Sequence, residues 1–126
     1  MRILICGGRD YGEKNKDEVD LFAGAWLKLI EKHGDDIEIV NGGCKTGADK
    51  LARAVCSMLA ITCITEPAKW KKHGKGGGPI RNQLMLDRWK PDAAVAFPGG
   101  DGTADMVRRC RDAGVPVWIP YGGVNE

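Results

Sequence analysis

The sequence predicts an α/β fold: a Rossmann-like three-layer sandwich around a five-stranded parallel sheet of order 3-2-1-4-5. Three observations carry this. Short apolar runs alternate with amphipathic helical stretches along the chain, as in a parallel sheet covered on both faces. Glycine pairs follow three of those runs, at 7–8, 42–43 and 99–100. Right-handed crossovers then set strands 1 and 4 side by side at a switch point, where a ligand crevice opens.

The elements follow in order. Residues 2–6 read as a buried strand ending at Gly7-Gly8. Residues 17–32 carry Val19, Phe22, Ala23, Trp26, Leu27 and Ile30 in steps of three and four, a helical stripe that Gly34 ends. A second strand at 37–40 closes on Asn41-Gly42-Gly43. The next helix starts near Thr46, with Ala48, Leu51, Ala52, Val55 and Leu59 on one face. A third strand spans 61–64, and a mobile polar loop runs over 66–78. Pro79 suits the first position of a third helix, whose missing N–H costs nothing there. That helix runs to Trp89 and turns Ile80, Leu84 and Trp89 inward. The fourth strand covers 92–97. The fourth helix, 103–113, buries Met106, Val107 and Cys110, with Arg108, Arg109 and Arg111 largely outward. Gly114 stops it, a fifth strand spans 115–119, and residues 121–126 are expected to fray.

The 126 residues fit one domain, 1–126. Charged residues make up 29% and the hydrophobic set 43%, as in an ordinary globular protein. A net charge of +2 and 6% aromatics argue against a nucleic-acid binder. No apolar stretch is long enough to span a membrane, and the first apolar run is too short for a signal peptide, so a cytoplasmic protein is expected. Of the five cysteines no two have C-x-x-C spacing. Free, mostly buried thiols are expected, with Cys44 the exposed one. Neither histidine has partners at metal-ligand spacing, so no metal and no cofactor is expected.

The chemistry is expected at the carboxyl ends of the strands. Phe97-Pro98-Gly99-Gly100-Asp101-Gly102-Thr103 links a strand to a helix start, and free first-turn amides there cradle an anion. Glycines admit a phosphate close to the backbone, and Thr103 can cap the helix or bind the ligand. Gly7, Gly8 and Arg9 lie at the mouth of strand 1, with the guanidinium suited to a phosphate. Tyr11 either stacks on a base or covers its loop. Gly42 and Gly43 form a second turn. Asp49, in the next helix's first turn, serves either a ribose hydroxyl or the helix dipole. Arg81 and Asn82 follow a triple glycine, and Arg81 is the expected charge stabiliser. Trp70 is a candidate lid, and the lysines around it can draw in an anion. Asp101 and Asp105 are the carboxylates beside the main cradle: acids for N-glycoside cleavage, or merely turn and helix-start residues.

Four stretches together resemble the SLOG superfamily, named for the Smf/DprA and LOG proteins, and in particular its small members related to YpsA and YspA. They are Gly-Gly-Arg-Asp-Tyr at 7–11, Gly-Gly-Cys-Lys-Thr-Gly-Ala-Asp at 42–49, Gly-Pro-Ile-Arg-Asn-Gln-Leu-Met at 78–85 and Phe-Pro-Gly-Gly-Asp-Gly-Thr-Ala-Asp at 97–105. The resemblance implies a Rossmann-like fold that binds a nucleotide or nucleotide-derived ligand at the glycine rim, as a sensor or a sequestering protein. It also implies an alternative, a LOG-like phosphoribohydrolase that cleaves the N-glycosidic bond of nucleoside 5′-monophosphates. The LOG motif continues with a glutamate three residues beyond the threonine. Here that position is Met106, and Asp105 is turned by ~100° on the helix. Arg81 is the counterpart of the LOG arginine. The DprA members imply a third reading, a single-stranded nucleic-acid module. Relatives also imply a homo-oligomer, formed here by Trp89 or the outer face of the third helix.

Overall fold

The computed structural model describes residues 1–34 and 36–120, so the tail at 121–126 lies outside the described residues. Strands β1 (Arg2–Cys6), β2 (Glu38–Asn41), β3 (Thr62–Thr65), β4 (Ala93–Ala96) and β5 (Val117–Trp118) form one parallel sheet of order β3-β2-β1-β4-β5. The α/β architecture and strand order are those the sequence predicts. Ile3 sits in register with Ile39 on one side and Ala93 on the other.

Five α-helices connect the strands: α1 (Lys16–His33), α2 (Gly47–Leu59), α3 (Trp70–His73), α4 (Gly77–Trp89) and α5 (Asp101–Asp112). Alternation along β1 sends Ile3 and Ile5 to a core with Phe22, Trp26 and Ala52, under α1 and α2. Leu4 and Cys6 go to a second core with Met85, Leu86, Met106 and Cys110, under α4 and α5. α1 starts where the Asn15 side chain accepts from the Asp17 amide and stops where Gly34 N–H donates to Ile30. Among the described residues no helix is long and apolar enough to cross a membrane.

Several local expectations are corrected. The buried face of α1 is Phe22, Ala25, Trp26 and Leu29, while Val19, Ala23 and Leu27 are exposed. A period of 3.6 admits both stripes, and packing selects one. Residues 66–78 are not a bare loop: α3 and a 3-10 turn at Gly74–Gly76 lead directly into α4. Pro79 is therefore the third residue of α4, still among the positions whose amides need no helical partner. Ile80 points to solvent, and Met85 and Leu86 fill the core instead. α5 begins at Asp101 with Gly100 as its N-cap, so Thr103 is inside the first turn and does not cap it. Cys63 is half-buried like Cys44, and the other three cysteines are buried.

Candidate functional site

The four sequence stretches meet at the carboxyl edge of the sheet. β1 and β4 end side by side, and Gly8 N–H donates to Pro98 O at 2.8 Å. Glycine is required at this junction. A Cβ at Gly7 would lie 2.6 Å from that of Ala48, and one at Gly8 would lie 2.9 Å from Pro98 O. A Cβ at Gly99 would lie 2.1 Å from Thr103 Oγ1 and 2.8 Å from Gly8 N. Phe97 closes the floor, its ring 4.7 Å from Phe22 and 5.3 Å from Tyr11. Tyr11 is thus core: it is buried, and its hydroxyl donates to Glu18 O.

The two helix starts differ. At α2, Gly47 N–H donates to Glu13 Oε2, Ala48 N–H to Gly8 O, and the Thr46 hydroxyl to Arg9 O. Those donors bolt α2 to the turn after β1. At α5, no acceptor among the described residues takes the amides of Gly100, Asp101, Gly102 or Thr103. Those amides, at the positive end of a three-turn helix, stand open to an anion.

The turn after β2 is built from inside. Asn41 is fully buried, and its Nδ2 donates to Cys63 Sγ, Ile64 O and Thr65 Oγ1. Its Oδ1 accepts from Gly43 N–H at 2.9 Å and Arg53 Nη1 at 3.0 Å. Arg53 Nη2 also donates to Cys44 O. Asp49 Oδ2 accepts from the Cys44 amide, and Arg81 donates to Gly42 O. Burial pushes the Asp49 carboxyl above its ordinary value, against the amides of Cys44 and Gly42 and the charges of Arg81 and Arg53. Burial also lowers the Arg81 guanidinium, with Asp49 opposing and Arg9 reinforcing that shift. Two guanidinium groups, Arg81 and Arg53, therefore act on the Asp49 carboxylate, and Arg9 lies close enough to Arg81 to add to the positive excess there.

Arg9 stacks over Trp70, its Cζ 5.2 Å from the ring centroid. The ring also lies against the start of α4, where a Cβ at Gly77 or Gly78 would come 3.2 Å from it. Gly77 and Gly78 seat Trp70 against the start of α4.

Of the two acids beside the cradle, Asp105 is buried and fully engaged. It accepts from Arg108 at 2.6 Å, Arg109 at 2.8 Å and Asn82 at 3.0 Å. Burial works to raise its carboxyl, but the hydrogen bonds from Arg109 and Asn82 and the charges of Arg109 and Arg108 hold it below the usual range. Asn82 also donates to Gly102 O, and Arg109 to Gln83 Oε1, so this cluster fixes α4 against α5. Arg109 is accordingly half-buried rather than outward. Asp101 is exposed on the first turn of α5.

Asn41, Arg53 and Glu66 shape the site without having been singled out from the sequence. An asparagine directly before a glycine pair at a strand end was the available signal for Asn41. Arg53 reads as a solvated helix residue, and Glu66 as part of a polar loop. Glu66 instead accepts from Arg88 and Trp89 Nε1, tying the end of β3 to α4. Trp89, expected at an oligomer interface, is half-buried there, with Arg2 packed over its ring.

Comparison with known proteins agrees with this geometry. The model of the YspA, cpYpsA-related SLOG family (YAcAr) matches residues 1–73, from β1 through α3. No curated protein and no solved structure matches the chain. The matched stretch is more than half of the 126 residues and contains the turns after β1 and β2. The chain belongs to the YspA, cpYpsA-related SLOG family.

Proposed function

We propose that this protein binds a nucleotide or nucleotide-derived phosphate ligand in the crevice and leaves it intact, as a sensor or a sequestering protein. The observation that carries this reading is the open first turn of α5 beside a crevice with a positive excess. In this reading Gly99, Gly100, Gly102 and Thr103 offer amides to a phosphate, and Gly7, Gly8 and Pro98 hold the two loops close. Arg81 and Arg9 balance the charge. Asp49, a buried acceptor next to Arg81, orients a ribose hydroxyl.

The state of Asp105 supports binding over hydrolysis. A carboxylate held by three donors and kept ionised is a poor proton donor. A LOG-like phosphoribohydrolase keeps one observation in its favour, the exposed Asp101 on the first turn of α5.

The test is a filtration assay on a mixture of 5′-monophosphates, ADP-ribose and cyclic dinucleotides, read by mass spectrometry before and after heating the protein. Binding predicts one compound lost from the filtrate and returned intact, and Arg81→Ala should abolish its retention. Release of free base and ribose 5-phosphate would make the protein a hydrolase. No retention and no conversion would overturn the reading.

A further inference from the structure

The two faces of the sheet are covered unequally at β4 and β5. On one face, Ala94, Ala96, Val117 and Ile119 pack into the core under α4 and α5. On the other, Val95 joins the core of α1 and α2, while Trp118 stands at its margin, partly buried. Among the described residues no helix follows β5, so α1 is the helix that bounds this side of the sheet.

A cavity of about 490 Å³ lies there, between the end of α1 and the strands β1, β4 and β5. Its apolar lining is Ile3, Val95 and Trp118 from the sheet and Leu29 from α1. Met1, Asp92 and Pro116, each just before a strand, place its mouth toward the amino ends of the strands. The crevice of Arg81 and Asp49 is at the opposite, carboxyl edge. The volume falls in the range of small-molecule pockets, roughly 300–1,000 Å³. The helical wall covers only residues 28–33, roughly 9 Å of α1, too short to seat the i, i+4 and i+7 anchors of a partner helix.

The polar lining is cationic. Lys28 and Lys32 are four residues apart on the same flank of α1, and both line the cavity. Neither ammonium has an ion-pair partner among the described residues. The helix dipole favours Lys32 and His33 in the last turn, but its effect does not extend back to Lys28. His33, half-buried, adds a ring N–H donor. The carboxylate at the rim, Asp92, is already engaged: its Oδ2 accepts from the Arg2 amide at 2.8 Å.

We propose that this cavity is a second ligand site, for a small organic monocarboxylate with an apolar body. The carboxylate is taken by Lys28 and Lys32, and the body covers Trp118, Val95 and Ile3. An inorganic anion would leave the apolar floor wet, and an uncharged apolar compound would leave the two ammonium groups unpaired. The site is independent of the reading of the crevice.

The experiment is an NMR titration of the full chain with cinnamate, using its uncharged analogue cinnamamide as the control. The indole N–H signals of Trp118 and Trp70 are assigned by their loss in Trp118→Phe and Trp70→Phe. Cinnamate should move the Trp118 signal and bind at least ~10-fold more tightly than the amide. Lys28→Gln together with Lys32→Gln, on exposed side chains, should weaken it roughly 5- to 30-fold. Ala93→Leu, from a half-buried position in the lining, should abolish binding with the circular dichroism unchanged. Equal binding of acid and amide would overturn the proposal, as would full affinity in the double lysine variant. A shift at Trp70 in place of Trp118 would put the probe in the crevice and overturn it too. No binding up to millimolar cinnamate would also overturn it, and would point to the acidic side chains of a partner protein as the occupant.

Discussion

Arg81 on α4 donates to the carbonyl of Gly42, so a side chain from one face of the sheet closes a turn that leads into a helix on the other. The same guanidinium faces Asp49, giving α2 and α4 a charged link over the crevice. Arg81→Ala removes a fork donor and leaves the Asp49 carboxylate without that cation. Affinity for a phosphate ligand should fall roughly 10- to 100-fold, and Arg81→Lys should recover only part of it, because an ammonium cannot reproduce the fork. Calorimetric titration of the compound retained by the wild type checks this. Equal affinity in all three proteins would remove Arg81 from the binding role.

The glycines of the β4–α5 turn are not equivalent. Gly99 is pressed between Thr103 and Gly8, whereas a Cβ at Gly100 or Gly102 meets nothing within 4 Å. Gly99→Ala must displace backbone held by the Gly8–Pro98 hydrogen bond and should cost about 1–3 kcal/mol. Gly102→Ala lies inside α5 and should gain roughly 0.5–1 kcal/mol. Chemical denaturation of the two variants should move their midpoints in opposite directions.

Most of the architecture was legible because glycine pairs follow β1, β2 and β4 and the four long helices repeat near 3.6. What failed was the choice among neighbouring stripes. Leu27 and Leu29 both fit a helix face, and only the position of the sheet decides for Leu29. α3 was hidden because Trp70-Lys71-Lys72-His73 carries no apolar period, and a four-residue helix buries no stripe of its own. The rim could be assembled from its glycines. Which helix start stays open could not, since at α2 the amides are taken by Glu13, thirty-four residues upstream of Gly47, and by Gly8.

Asp105 predicts a pH dependence. Its carboxyl titrates lower in the folded chain, so the stability it contributes is complete above the unfolded value near ~4 and lost as pH falls through the folded one. Asp49 has the opposite sign. Its raised carboxyl imposes a cost above its folded value, and acidification relieves that cost. Asp105→Asn removes the first contribution and keeps the second. At neutral pH it should lose about 1–3 kcal/mol, since Arg108 and Arg109 lose their shared acceptor. That deficit should shrink as pH is lowered from 7 to below about 4, toward the depressed folded value at which wild-type Asp105 protonates. Urea unfolding at both ends of the range checks it. A deficit independent of pH would mean that the loss comes from packing and not from the charge.

Asn41 is the residue on which the β2 side of the rim depends. Its amide spans β2, β3, the glycine turn and Arg53, and it has no contact with solvent. Asn41→Asp is nearly isosteric but reverses the polarity at Nδ2. An acceptor would then face the Ile64 carbonyl, and a buried charge would lack its donors on that side. Arg53 offsets part of this through the other oxygen. Asn41→Asp should therefore cost about 2–4 kcal/mol at neutral pH and recover on acidification, whereas Asn41→Leu should lose a similar amount at every pH. Because Gly43 and Cys44 are held through Asn41 and Arg53, both variants should also weaken ligand binding without touching the α5 cradle. Full binding alongside lowered stability would show that the turn keeps its shape without Asn41, and would shift the positioning role to Arg81 and Asp49.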